Sequence, residues 1–410
     1  MILRWLSIWF FSLVLLFANP LQEAIDAAPR GAVIELEPGE YHGNITISKP
    51  ITIDGKDQSA HIVGEQKGSI ISIKSSNVVI KNLTIRGSGD SHEKIDSAIV
   101  AVDSNYITIE NNHIEDALFG IDLQQVNRSK VINNYITSKP YALGLRGDGI
   151  RLWYAHDNVV SDNTLHKSRD LVVWYSSGNE IDRNYGEYGR YSLHFMYAGK
   201  NLVRDNEFRY NSVGIFFMYS SGTVATGNIV RNSIGAFGVG LGMKDASGFT
   251  IEDNIMIYNA RGIFNDQSPF QPDQPNIYKR NKILYNSSGL EFQGIREASI
   301  FIDNTIKGNM EPVVNADSVN NLHMNEWKNN YWDTYEGYDL NKDGIGDIPF
   351  NHYSYADRLW SYKPSIKFFY GSVVIDLLNF LAKMAPFSEP ELLATDLEPL
   401  MEPYGAKTSK

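Results

Sequence analysis

The chain has 410 residues, 43% of them apolar, a formal net charge of −11 and no cysteine. That is enough apolar material for a large core or one long stacked domain. It excludes disulfide staples and thiolate metal sites, and with no basic cluster against the acidic balance it argues against nucleic acid as a partner.

The N-terminus reads MILRWLSIWFFSLVLLFANP, with Arg4 before an apolar stretch from Trp5 to Phe17 and with Leu16 and Ala18 at the cleavage positions. This pattern predicts a signal peptide over 1–18 and residence outside the cytoplasm; the stretch is short for a membrane span. Next comes LQEAIDAA (21–28), a short helix whose Leu21 and Ile25 would cover the open end of a stacked structure. AVIELEPGEYHGNITISKPITIDG (32–55) then alternates apolar and polar residues between Gly and Pro, the pattern of short strands and tight turns.

The strongest signal is a recurring asparagine at Asn82, Asn112, Asn134, Asn163, Asn184, Asn206, Asn228, Asn254, Asn281, Asn304 and Asn330, with 22 residues the commonest gap. A fixed period means one unit stacked many times. The unit is too short for a helix pair and too rich in β-branched residues and Gly for a helical repeat. It fits one coil of a parallel β-helix, with the asparagines forming a ladder at a left-handed turn. The predicted fold is therefore all-β, a parallel β-helix of about 10–12 coils over 19–332, with an N-terminal cap helix and a C-terminal amphipathic helix and tail. NDQSPFQPDQPN (265–276), with three prolines, predicts a loop thrown out from the coils. Residues 333–364 predict an irregular extension. Val373, Val374, Leu377, Leu378 and Leu381 then set helical spacing within 365–387, and 388–403 holds little that could form a core alone.

Aligning coils on the asparagine also yields surface chemistry. Ten residues before Asn163, Asn184, Asn206 and Asn228 lie Trp153, Trp174, Met196 and Met218, while Met243 lies eleven before Asn254. Leu152, Val173, Phe195 and Phe217, one residue earlier, and Ile150, Leu171, Leu193 and Ile215, three earlier, form two apolar columns that should face the core. The Trp/Met row then faces outward, beside a row of Arg151, Val172, His194 and Phe216. Coils lie about 4.8 Å apart, so Met196 and Met218 would neighbour one another with His194 on the same strand face. Two thioethers and an imidazole suit Cu(I) over Mg²⁺ or Ca²⁺. The same row, with Trp153, Trp174 and Phe216, also reads as a partner-docking surface.

Asp339, Asn341, Asp343 and Asp347 alternate with Gly as in the first half of a Ca²⁺ loop, although such residues also form turns that satisfy themselves. Asp148, Arg151, Arg169 and Asp170 are candidates for a glycoside-cleaving site or, with two arginines among them, for salt bridges. The sequence holds no phosphate loop, nucleophile elbow or HExxH motif.

The runs GDGIRLWYAHDN (147–158), VVWYSSGNEI (172–181), GRYSLHFMYAGKN (189–201), NSVGIFFMYSSG (211–222), SPFQPD (268–273), NNYWDTYEGYDLNKDGIGDIPF (329–350) and APFSEP (385–390) resemble the NosD family over nearly the whole chain. The resemblance implies a right-handed parallel β-helix. It further implies a non-enzymatic periplasmic maturation factor of nitrous oxide reductase, working with the permease and ATPase subunits of an ABC-type complex. Copper would come from a lipoprotein chaperone, with His194, Met196, Met218 and Met243 as the residues to test, and the membrane would be met only through the permease. The rival reading is an extracellular polysaccharide lyase or epimerase; a third is a docking scaffold without metal.

Overall fold

The computed structural model describes residues 19–354, 363–384 and 390–406. The expected signal peptide and most of APFSEP lie outside them. Three sheets of 15, 13 and 12 strands wrap the described chain; every third strand in sequence returns to the same sheet in parallel, except for Phe350–Ser354, which joins the edge of the first sheet antiparallel. This is the predicted β-helix, with about 13 turns. The excess over the expected count lies at the N-terminal end, where strands Val33–Glu35, Gly39–His42 and Ile45–Ile47 form a coil that carries no ladder asparagine.

The ladder has a simple physical basis. Each coil brings a buried backbone N–H to the same corner, and a buried donor must find an acceptor. Asn184 N–H donates to Asn206 Oδ1 at 2.9 Å, and Asn206 N–H donates to Asn228 Oδ1 at 3.1 Å. The side-chain amides do the same, Asn206 Nδ2 donating to Asn228 Oδ1 at 2.9 Å and to the Ile181 carbonyl at 2.9 Å. Asn112, Asn134, Asn163, Asn254, Asn281, Asn304 and Asn330 continue this pattern.

Two details differ from expectation. The left-handed residue is the one before each ladder amide, such as Asp162, Arg183 and Asp205 with φ of 57°, 49° and 53°. Asn82 holds that left-handed position (φ 58°), and Leu83 N–H meets the first rung, Asn112. At this coil the alignment was therefore one residue off.

Both ends are closed. Helix α1 (Pro20–Ala27) starts at Asn19, whose side chain accepts from Gln22 N–H, and it buries Leu21 and Ile25. Gln22 takes the part of a missing strand: its amide donates to the Thr46 carbonyl at 3.1 Å and accepts from Thr46 N–H at 2.7 Å. At the other end the tail corrects the reading of 388–403 as coreless. Strand Glu391–Asp396 pairs with Glu326–Lys328 and, antiparallel, with Phe350–Ser354, burying Leu393 and Ala394. Asp396 ends the ladder, accepting from Asn330 N–H and Nδ2 at 2.9 Å each and from Trp332 Nε1 at 3.2 Å. Helix α2 (Val373–Met384) lies where the helical spacing put it.

Candidate functional site

The 12-stranded sheet carries the candidate face. Leu152, Val173, Phe195 and Phe217 pair in register and are fully buried; Ile150 pairs with Leu171 and Leu193 with Ile215, all four fully buried, with a register shift between the strands of Leu171 and Leu193. Strand alternation then turns the next residue outward. Trp153, Trp174, Met196 and Met218 pair in successive coils and are half-buried.

Met243 does not continue this row. It pairs with Phe217, is fully buried, and receives a contact from Tyr278 Oη at 3.4 Å. The outer position belongs to Lys244. The extra residues of this coil sit in the turn before strand Val239–Lys244, so the distance from strand to ladder is still ten and counting eleven slipped by one. A one-residue slip inverts the face of a side chain in a strand.

His194 lies on the outer side of its strand but under a roof. It is 5% exposed, stacked on Tyr191 at 4.6 Å and met edge-on by Trp174 at 6.0 Å. Both ring nitrogens, and Trp174 Nε1, lack a hydrogen-bond partner among the described residues. The nearest acid is Asp170, with Oδ2 at 3.8 Å, beyond hydrogen-bond range. Phe216 is buried in an outer apolar cluster with Val213 and Val239, against which Tyr191, Met218 and Phe264 pack. The face thus combines two half-open thioethers, an imidazole with no hydrogen-bond partner and an apolar surround. That donor set fits a soft monovalent ion. No three His, Asp or Glu side chains converge as a metal-holding group among the described residues.

Sequence reasoning missed the adjoining corner. Tyr154, Tyr175, Tyr197 and Tyr219 each follow a row residue, adopt φ of 49–50° and stack at centroid distances of 4.9, 5.1 and 5.0 Å. A bulky residue in left-handed backbone costs about 1–2 kcal/mol, partly offset by about 0.5–1.5 kcal/mol per ring pair. The repeated dipeptides WY, WY, MY and MY were the available signal. The proline loop folds back beside this corner: Phe270 and Gln271 N–H groups donate to Ser247 Oγ at 2.7 and 2.8 Å. A recess of about 390 Å³ lies between Phe270 and Tyr219.

The acids of the rival reading are each held by an arginine. Asp148 accepts from Arg169 at 2.9 Å and Asp170 from Arg190 Nε at 3.1 Å; Arg151, named with them, is held by a further acid, Asp122, at 2.8 Å. All three acids are buried. Burial pushes the Asp148 carboxyl up to about 6, with the Asp170 charge adding to the effect and Arg169 opposing it. Burial would raise Asp170 too, but neighbouring His194 and Arg190 outweigh it and hold this carboxyl below its ordinary value. Carboxylates so enclosed are out of reach of a polymer. Arg151 also lies over Trp153 and Trp174, at 5.8 and 5.9 Å.

The expected calcium loop satisfies itself. Asp339 accepts from the Lys342 and Gly344 N–H groups at 2.6 and 2.8 Å, Asp343 from Ile345 N–H at 2.8 Å and Asp347 from Leu340 N–H at 2.7 Å. Asn341 donates to Asp343 at 2.9 Å. The carboxylates face loop amides rather than a common centre.

Three stacked sheets with an outer row of thioethers and aromatics define a parallel β-helix. Residues 34–149 match the model of a right handed β-helix region, and residues 133–337, half of the chain, match that of the periplasmic copper-binding protein NosD. The chain belongs to the NosD family. It is 27% identical to a probable ABC transporter binding protein NosD of Pseudomonas aeruginosa, over 91% of this chain and 90% of that one. It is also 27% identical to the protein of the same description from Stutzerimonas stutzeri, over 92% and 90%. Among solved structures, the A-module of the mannuronan C-5 epimerase AlgE6 of Azotobacter vinelandii superposes with a TM-score of 0.59 at 15% identity, covering 73% of this chain and 94% of that one. The catalytic domain of a GH87 α-1,3-glucanase gives 0.52 at 13%, covering 70% and 62%. These likenesses are of fold alone. The family is described as periplasmic, and no helix among the described residues is long and apolar enough to cross a membrane.

Proposed function

We propose that the protein is a non-enzymatic periplasmic factor that receives Cu(I) and passes it toward nitrous oxide reductase. It would do so as the outer component of an ABC-type complex, with energy from an ATPase subunit and copper from a lipoprotein chaperone. The observation that carries this reading is the in-register pair Met196 and Met218 on the outer face, two residues from a buried His194 with no hydrogen-bond partner among the described residues, in a chain of this family. Copper is cargo here, not a resident cofactor. Two thioethers and one imidazole leave a coordination position open, so an incoming ligand can displace the ion stepwise, whereas a closed four-ligand site would retain it. For His194 to take part, Tyr191 must swing off its ring, which gives a partner docking on that face a means of opening the site. Trp153 and Trp174, with the stacked tyrosines, supply rigid aromatic area for such docking, whereas Phe216, expected on that surface, is buried beneath it.

The test is an anaerobic Cu(I) titration against a competing chelator, with wild type, Met196→Ala/Met218→Ala and His194→Ala. Affinity should fall by about tenfold or more in the methionine double variant, since ligand loss at such sites costs at least that much. Equal affinity in wild type and the double variant removes copper from this face and leaves the docking-scaffold reading.

A further inference from the structure

Among the described residues, helix α2 is a large apolar feature that the copper reading does not use. Val373 is 82% exposed, Met384 69%, and Phe368 in the turn before it 88%, with Phe369, Tyr370, Leu377 and Leu381 exposed as well. Ile375 is buried. At about 100° per residue, Asp376 and Asn379 share one arc of about 60°, and the exposed apolar residues between Val373 and Met384 fill another of about 160°. A helix docked in a protein groove needs only a narrow apolar stripe; an exposed apolar arc of nearly half the circumference suits the surface of a bilayer. The helix has 12 residues, about 18 Å, well short of the roughly 30 Å of a hydrocarbon core.

Charge discriminates further. The whole chain carries −11, yet the stretch 363–384 holds Lys363, Lys367 and Lys383 against one acid, Asp376. A local excess of lysine beside clustered Phe and Tyr is the chemistry of an anionic headgroup boundary. We propose that α2 lies in the surface of a lipid bilayer, apolar arc inward, and holds the β-helix at the membrane directly. This departs from the expectation that the membrane is met only through a permease, and it does not rest on the copper site.

The experiment is vesicle flotation of the full chain with phosphatidylethanolamine/phosphatidylglycerol liposomes free of protein. Wild type should float at low salt and less so at high salt or on phosphatidylcholine alone. Leu377→Asp/Leu381→Asp should cut the bound fraction by about tenfold or more with an unchanged thermal midpoint. Lys363→Gln/Lys367→Gln, which leaves the apolar arc intact, should remove the preference for phosphatidylglycerol. The proposal is overturned if wild type ignores bare liposomes, including the case in which it binds only vesicles carrying a permease. It is also overturned if the aspartate variant floats as well as wild type.

Discussion

Replacing Asn206 by alanine removes one rung from the middle of the ladder. Asn206 Oδ1 accepts from Asn184 N–H at 2.9 Å and Asn184 Nδ2 at 3.0 Å, and its own Nδ2 donates to the Ile181 carbonyl at 2.9 Å. Alanine leaves the Asn184 N–H buried without a partner and takes from the Ile181 carbonyl the donor it has beside the strand ladder, while the Asn184 amide keeps its bond to the Val160 carbonyl. An unsatisfied buried group costs about 1–3 kcal/mol, so the loss of this rung should come to about 2 kcal/mol. Because stacked coils interact only with neighbours, the loss should concentrate in the coils on either side. Urea unfolding followed by circular dichroism gives the total, and hydrogen exchange at Asn184 gives the location. Asn206→Asp should be worse than alanine at neutral pH, since it aims a carboxylate at Asn228 Oδ1, and should recover on acidification. A cost below about 1 kcal/mol for Asn206→Ala, with unchanged exchange at Asn184, would refute the ladder as the tie between coils and leave strand pairing to do that work.

Met243→Ala should cost about 2–5 kcal/mol as a core truncation and leave Cu(I) affinity unchanged, whereas Met218→Ala should do the reverse; calorimetry and metal titration on the same samples separate them. For Asp148, whose folded value of about 6 lies above the ordinary 3.8, the folded state binds more protons between those limits. That contribution to stability is present below about pH 4 and is lost as pH rises through about 6, by at most about 3 kcal/mol. The stability of Asp148→Asn relative to wild type should therefore rise from pH 4 to 7, and a flat difference in thermal midpoints would contradict it. Asp396→Ala orphans Asn330 and Trp332 Nε1 and should make the last coils the first site of limited proteolysis. Millimolar calcium should leave the thermal midpoint unchanged, because the Asp339–Asp347 loop already spends its carboxylates on its own amides; a rise of several degrees would overturn that.

The fold was readable because its repeat is enforced by a chemical need that recurs each coil, a buried N–H that takes an asparagine. The inward columns followed from strand alternation alone. What failed was local counting. Met243 was misplaced because an insertion shifts register without altering the pattern that surrounds it. The roof over His194 was not legible, since the register shift in its strand brings Tyr191, three residues earlier, over the ring. Asp396 was beyond reach for a similar reason. It lies 66 residues from the asparagine it serves, and nothing periodic connects them.

The sealed ends have a consequence for assembly. A tube of identical coils has no intrinsic stopping point, because the last coil offers the next one the same donors and acceptors it received. Here one end meets a glutamine that imitates a strand and the other meets an aspartate on a returning ribbon. A further coil would therefore have to displace the glutamine at one end or the ribbon at the other before it could pair there, which sets a molecule built like one stretch of a fibre against growing into one.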